Sequence, residues 1–218
     1  YSYKRLEQMD KGQRQLLRNI DNITARLDSQ IVGDVFNGND SMAGFKKSNW
    51  EGGVRIPYIV RWPGKIAEGV RTEQLIANYD LMATLADLVG IDIGDDKDGI
   101  SFLLCLLGRE MEGHDYVVYG SSMGPALVTK DGFKLRAVIN HEKYKYSMFG
   151  AFWNEMDEKA VTFQLYNLKE DYAERKDIST ECPDILKRLI KLLIKECDGN
   201  VCHGTPQWHF AFYADNNI

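Results

Sequence analysis

The run Lys46-Lys47-Ser48-Asn49-Trp50-Glu51-Gly52-Gly53-Val54-Arg55-Ile56-Pro57 sets two cations, a carboxylate and a pair of glycines directly before an apolar stretch. An ammonium group can donate a charge-assisted hydrogen bond to an anion, and a glutamate beside it can pair with a loop cation. Glycines allow backbone to approach backbone or ligand where a side chain would collide. The chemistry open to such a segment is the handling of an anion by a loop mounted on a rigid element. A plainer arrangement is open to the same residues: Lys46 and Lys47 solvated, with Glu51 and Arg55 forming an internal ion pair.

Histidines stand at His114, His141, His203 and His209. His203 and His209 are spaced wrongly for one helical face and have no evident third ligand, so packing or surface roles are expected. Cys105, Cys182, Cys197 and Cys202 do not follow zinc-site spacing and are too few to build a disulfide scaffold. Cys197 and Cys202 are near enough in sequence to bridge across Asp198-Gly199-Asn200, with free thiols as the alternative.

Several elements must position these residues. Leu6, Met9, Leu16, Ile20, Ile23 and Leu27 recur at helical spacing, which predicts a long amphipathic helix whose stripe needs a partner. A short strand near Ile31-Val32 and a Gly-, Asn-, Asp- and Ser-rich loop from Gly33 to Asn49 follow. Arg55 to Trp62 reads as a buried strand closed by the turn Pro63-Gly64. Asp80 is expected to cap a helix with the face Leu81, Leu85 and Leu88, stopped by Gly90. Alternation of strand and helix gives α/β character.

After Gly113 the pattern changes to short strands at Tyr116–Tyr119, Ala126–Thr129, Phe133–Arg136 and Phe163–Tyr166. Lys130-Asp131-Gly132 supplies a tight hairpin turn with positive backbone angles. Pro183 opens a final helix carrying Ile185, Leu189, Leu192 and Leu193, expected to lie across an antiparallel sheet. The aromatic tail from Gly204 to Ile218 is expected to dock. Two domains are therefore anticipated, 1–112 and 113–218.

Composition excludes some classes of function. A net charge of -5 with a pI near 5.4 gives no basic footprint for nucleic acid or anionic membrane. No apolar run approaches the roughly 20 residues that span a bilayer, and Tyr1 to Arg14 is polar rather than signal-like, so a soluble chain is expected.

The segments that surround the lysine run resemble the formylglycine-dependent sulfatases of the alkaline phosphatase superfamily, arylsulfatases among them. A lysine precedes Glu-Gly-Gly-x-Arg-x-Pro by five positions in that family, and Lys46 holds its place. Further matches fall in the family's order: Arg61-Trp62-Pro63-Gly64-Lys65-Ile66, Asn78-Tyr79-Asp80-Leu81 with Thr84-Leu85, and Asp98-Gly99-Ile100-Ser101-Phe102. Later come Lys130-Asp131-Gly132-Phe133-Lys134-Leu135 and Leu165-Tyr166-Asn167-Leu168-Lys169-Glu170-Asp171 with Glu174-Arg175. The resemblance implies the latter part of an alkaline-phosphatase-like α/β sandwich, followed by a small antiparallel subdomain with a packed carboxyl-terminal helix.

It also implies hydrolysis of sulfate monoesters of small molecules or carbohydrates: a formylglycine hydrate attacks sulfur, calcium holds the sulfate oxygens, and Lys46 donates to the sulfate. His141, near Lys143 and Lys145, would approach the substrate. The chain departs from the family in what it lacks. Formylglycine arises from Cys or Ser in Cys/Ser-x-Pro-x-Arg. The residues two before Pro57, Pro63, Pro125, Pro183 and Pro206 are Arg55, Arg61, Met123, Glu181 and Gly204. Cys105 imitates the spacing but has Leu107 where proline belongs, and is expected in the core.

The family's early aspartate pair is missing, since Asp95-Asp96 lies late. Its Asp-Asn-Gly is not intact, since Asn37 stands where an aspartate belongs. Asp34, Asn37 and Asp40 would still offer calcium some hard oxygens, with a solvated turn as the alternative. The chain alone is therefore expected to be inactive, to need the family's amino-terminal half as a partner, and to self-associate through its uncovered first helix. A secreted, periplasmic or lysosomal-type compartment accompanies the resemblance. A phosphodiester or phosphonate hydrolase, or a non-catalytic binding module on the same scaffold, are the alternatives.

Overall fold

The computed structural model describes residues 38–44, 48–94, 96–121, 124–139 and 161–197. The expected first helix, the strand at Ile31-Val32 and the aromatic tail lie outside them. By Cα proximity the chain forms two compact units. One is built from residues up to Arg55, Val118–Leu127 and Phe133 onward; the other from Ile56–Val117 and Val128–Gly132. Among the described residues no helix is long and apolar enough to cross a membrane.

A four-stranded sheet runs in the order β1 (Tyr116–Tyr119), β2 (Ala126–Thr129), β3 (Phe133–Ile139), β4 (Val161–Asn167). All four strands fall on the runs expected from sequence, with β3 and β4 longer. β3 and β4 are antiparallel in a register that sets Phe133 opposite Asn167, Leu135 opposite Leu165 and Ala137 opposite Phe163. The β2–β3 turn is where Asp131-Gly132 predicts it, but only Gly132 is left-handed, with φ 91. Its N–H donates to Thr129 O at 2.9 Å, a turn followed by a glycine in the left-handed region rather than a two-residue mirror-image turn.

In the first unit a one-turn helix, α1 (Glu51–Val54), replaces the loop expected there and closes with Arg55 N–H on Glu51 O at 2.8 Å. The last helix of the described chain, α4 (Pro183–Glu196), begins on proline, whose fixed φ and missing N–H cost nothing in a first turn. Leu189, Ile190, Leu193 and Ile194 are buried, and α4 packs against β3. With Leu127, Leu135 and Leu165 they form the core, each such side chain contributing about 1.5–3 kcal/mol of burial.

The second unit contains α2 (Asp80–Val89) and α3 (Leu103–Leu106). Gly90 ends α2 at φ 72, as expected. The start differs by one position: Tyr79 is the residue before the helix and Asp80 its first member. Two expectations about burial are overturned. Leu81, Leu85 and Leu88 are 40%, 52% and 42% exposed, while Asp80, Ala83, Thr84 and Ala86 are the buried face. Arg55–Trp62 has no ladder partner among the described residues, and Ile59 is 91% exposed. An apolar run records that a segment is made to be covered; a strand exists only where a neighbour takes its hydrogen bonds. The Pro63-Gly64 turn does form, with Lys65 N–H on Trp62 O at 3.1 Å.

Candidate functional site

The two ends of the segment that carries Lys46 are held against each other. Gly52 N–H donates to Ala43 O at 2.8 Å, and Asn39 Nδ2 donates to Met42 O at 3.2 Å and Gly44 O at 2.9 Å. Gly44 is left-handed at φ 76, and a Cβ there would lie 2.4 Å from Ser48 Oγ and 2.5 Å from Trp50 Cβ. A Cβ on Gly52 would fall 2.0 Å from Asn39 Nδ2 and 2.6 Å from Gly44 O. The first glycine of the pair is there for close backbone approach, as expected of that pair.

The residue before that glycine enters a buried ionic hub. Glu51 Oε1 accepts from Lys134 Nζ at 2.9 Å, and Glu174 Oε1 faces the same ammonium at 2.7 Å. Glu174 Oε2 accepts the backbone N–H of Glu51 at 2.7 Å. The Lys134 side chain is wholly buried, as is that of Glu174, which lies at left-handed φ 54. Arg55 reaches the other Glu51 oxygen at 3.7 Å, but it is 59% exposed. The ion pair foreseen between Glu51 and Arg55 thus exists as a weak, screened contact beside a much deeper one.

Burial works against the Lys134 ammonium, but Tyr119, Glu51 and Glu174 outweigh it and hold its pKa above the ordinary lysine value. Burial likewise raises the Tyr119 phenol and pushes Tyr166 up to about 12. In all three the unfolded chain gives up its proton first as pH rises. Below about pH 10 these contributions are intact; above it the unfolded state binds fewer protons and stability falls. Unfolding by alkali is expected to begin near pH 10 and to be steep, as tryptophan fluorescence with tyrosine absorbance at 295 nm would show. A midpoint of urea unfolding that stayed flat from pH 9 to 11.5 would contradict it.

A second latch sits next to the hub. Asn49 is completely buried, and its Oδ1 accepts from both Nε and Nη2 of Arg136, at 2.9 and 2.7 Å. Asn49 Nδ2 donates to Ala137 O at 3.0 Å and Gly124 O at 3.2 Å. The guanidinium lies over the Trp50 ring, 3.3 Å from its centroid, and its Nη1 donates to Gln164 Oε1 at 2.6 Å. Trp50 also packs on Tyr166 with ring centroids 5.6 Å apart.

The second unit has its own polar centre. Asp80 Oδ2 accepts from Ala77 N–H at 2.7 Å; Oδ1 accepts from Ile100 N–H at 2.9 Å and meets His114 Nε2 at 2.8 Å. Thr84 Oγ1 donates to Asp80 O at 2.8 Å and accepts from Phe102 N–H at 3.0 Å. A Cβ on Gly99 would sit 2.9 Å from Tyr79 O. His114 also stands edge-on to Tyr79, with ring centroids 5.8 Å apart. Cys105 is half-buried rather than in the core, with Sγ 3.5 Å from Thr72 Oγ1.

Of the residues selected from sequence, Asp40 is described: it is exposed, at φ 48 in a turn. Lys46, His141, Asp34, Asn37, His203, His209 and Cys202 lie outside the described residues. Among the described residues no three His, Cys, Asp or Glu side chains gather to hold a metal. Sequence reasoning missed Lys134, Arg136, Glu174 and Asn49. The signal that could have found them is their place in the ordered segments: Glu-Gly-Gly, Lys-Asp-Gly-Phe-Lys and Glu174-Arg175 meet at the ionic hub, and Asn-Tyr-Asp and Asp-Gly-Ile-Ser meet at Asp80.

The chain is similar to several known proteins. Residues 44–198 match the family model described as N-sulphoglucosamine sulphohydrolase, C-terminal. The chain belongs to this sulfatase family. An N-acetylgalactosamine-6-O-sulfatase of Bacteroides thetaiotaomicron is 28% identical over 153 residues, 69% of this chain and 29% of its own length. An arylsulfatase of Hemicentrotus pulcherrimus is 29% identical over 180 residues, 75% of this chain and 32% of its own. A solved sulfatase structure from B. thetaiotaomicron, associated with metabolism of multiple glycosaminoglycans, superposes with a TM-score of 0.58 at 25% identity. It covers 76% of this chain and 34% of that one. The sulfatase chain described here therefore spans about a third of the length of these relatives. Its antiparallel sheet, packed carboxyl-terminal helix and α/β character are those of their carboxyl-terminal part.

Proposed function

We propose that the chain is the carboxyl-terminal part of a sulfatase that hydrolyses sulfate monoesters. The observation that carries this reading is the buried hub at Glu51, which joins two further segments of the family's series to the Glu-Gly-Gly that follows the lysine. In this reading Lys46 donates a charge-assisted hydrogen bond to the sulfate group. Such a bond is worth about 1.5–3 kcal/mol and accelerates the reaction to the extent that it strengthens in the transition state. His141 approaches the same substrate. The nucleophile is not encoded here, because no proline has Cys or Ser two residues before it, so this chain alone is silent.

Calcium, where bound, would supply positive charge to the sulfate oxygens. Asp34, Asn37 and Asp40 would offer it hard oxygen ligands alongside carboxylates from the rest of the protein. The glycosaminoglycan-related and aryl sulfatases among the relatives favour a carbohydrate or small aryl sulfate as substrate. The exposed Arg55–Trp62 run and the Leu81, Leu85 and Leu88 face are then the surface on which the other two thirds of a sulfatase packs.

The test is turnover by the full-length protein of a chromogenic aryl sulfate against the matching aryl phosphate diester and aryl phosphonate. Faster sulfate hydrolysis, lowered at least tenfold by Lys46→Ala, is expected. Preference for the diester or the phosphonate would assign the protein to phosphodiester or phosphonate chemistry, and an unchanged rate would return Lys46 to solvent. One observation favours a second reading, a binding module without catalysis: Asn37 replaces the expected aspartate, and Asp40 is an exposed turn residue. Tight calcium binding with turnover would eliminate it.

A further inference from the structure

The net charge of -5 hides a local excess of the opposite sign. Lys187, Arg188, Lys191 and Lys195 are all exposed on α4 and fall within roughly 100° of its circumference, in a stripe about 12 Å long. Leu189, Ile190, Leu193 and Ile194 occupy the opposite side and are buried, so the cations face away from the core. Lys187, Lys191 and Lys195 succeed one another at the one-turn spacing at which like charges repel along a helix. Exposed helices ordinarily alternate sign at that spacing and gain a little stability from it. Among the described residues, Lys187, Arg188 and Lys191 take part in no ion pair, and Lys195 meets its neighbour Glu196 at 3.6 Å. The helix dipole accounts for Lys195 in the last turn and for Asp184 in the first; its influence fades beyond those turns and leaves the other three cations unexplained.

A row of like charge held at a cost to its own helix is suited to a partner of repeating opposite charge. We propose that the outer face of α4 is an exosite for a sulfated polysaccharide, engaging sulfate groups along the polymer independently of the ester being cleaved. This rests on the sulfate-monoester reading made above and narrows it to a polymeric, multiply sulfated carbohydrate. An anionic membrane fits less well, because insertion needs a free apolar face and that of α4 is packed against β3. A single-stranded nucleic acid fits less well, because α4 carries no aromatic ring on which a base could stack. Lysines are flexible point charges that impose no fixed geometry, which suits a polymer whose sulfates vary in position. None of the four cations is assigned to the reacting bond, so the binding energy gained there is expressed in affinity for the polymer and not in the chemistry of a small ester.

The test is binding of labelled dextran sulfate to the full-length protein at low salt, measured beside turnover of a chromogenic aryl sulfate. Combining Lys187→Gln, Lys191→Gln and Lys195→Gln is expected to weaken polymer binding about tenfold and to leave aryl sulfate kcat/KM within about twofold. Lysine-to-arginine changes at the same three positions keep the charge and should keep the binding. The glutamine variant also loses the like-charge repulsion within α4, so its Tm should not fall below that of the parent. Polymer binding unchanged in the glutamine variant, with aryl sulfate still turned over, would overturn the inference and leave the sulfatase reading in place. Tighter binding of a single-stranded polynucleotide or of vesicles rich in anionic lipid, lost in the same variant, would overturn the choice of polysaccharide. A parent protein that hydrolyses no sulfate ester would remove the reading on which the inference rests.

Discussion

Replacing Lys134 by methionine, which keeps most of the volume and removes the ammonium, is expected to cost about 3–5 kcal/mol. Two carboxylates, Glu51 and Glu174, share that ammonium at 2.9 and 2.7 Å, and both are out of water. Stripping one partner from a buried ion pair leaves charge without compensation, which is where the large penalties lie. Since domains are stable by only about 5–15 kcal/mol, a loss of this size is a large fraction of the whole. Burial already raises the pKa of Glu174, with Lys134 as the opposing influence. Without the lysine the carboxyl should take up a proton and recover part of the loss at acid pH. Urea unfolding at pH 5 and pH 8 would show both effects. A shift below about 1 kcal/mol at pH 8 would mean that the hub is screened and does not tie the segments together. Adding Glu174→Gln to the methionine variant should restore some stability by removing the stranded charge.

The second large effect belongs to Asp80. Its carboxylate accepts from Ala77 and Ile100 N–H and from His114, and is 1% exposed. Asp80→Ala orphans two backbone donors and one ring nitrogen at once. Each unsatisfied buried donor costs about 1–3 kcal/mol, and relaxation toward water offsets some of this, so a net loss of about 3 kcal/mol is expected. Asp80→Asn retains one acceptor oxygen and should cost roughly half as much. Thermal unfolding gives the totals. Hydrogen exchange locates the effect: the Ile100 amide should lose protection in Asp80→Ala while amides of β3 and β4 keep theirs. Uniform loss would show that Asp80 supports the whole molecule rather than its own unit.

Local chemistry made the antiparallel half legible. Asp131-Gly132 marks the β2–β3 turn, the apolar runs mark the strands, and Pro183 marks the first turn of α4. The hub was not legible for a physical reason. In Phe133-Lys134-Leu135-Arg136 the alternation of apolar and charged residues places Lys134 and Arg136 on a solvated face, yet both are completely buried. Their partners Glu51 and Asn49 lie 83 and 87 positions away, and no local period reports a distant counter-ion. The order of the family segments carried that information without saying what it was for. Arg55–Trp62 and the leucine face of α2 failed in the opposite sense. Their hydrophobicity was read correctly, but coverage depends on surfaces that the described residues do not supply.

The contact between Ala43-Gly44 and Ser48–Gly52 also bears on how the protein can be altered. Gly52 N–H on Ala43 O and the close approach of Gly44 to Ser48 and Trp50 join residues 43–44 to 48–52 directly, so the sequence between them can change in length without unmaking that contact. Lengthening it to twice its size costs only about 0.6 kcal/mol of closure entropy, small against the hub that fixes its base. Insertion between positions 44 and 48 is therefore expected to leave the fold as the constant part of the experiment.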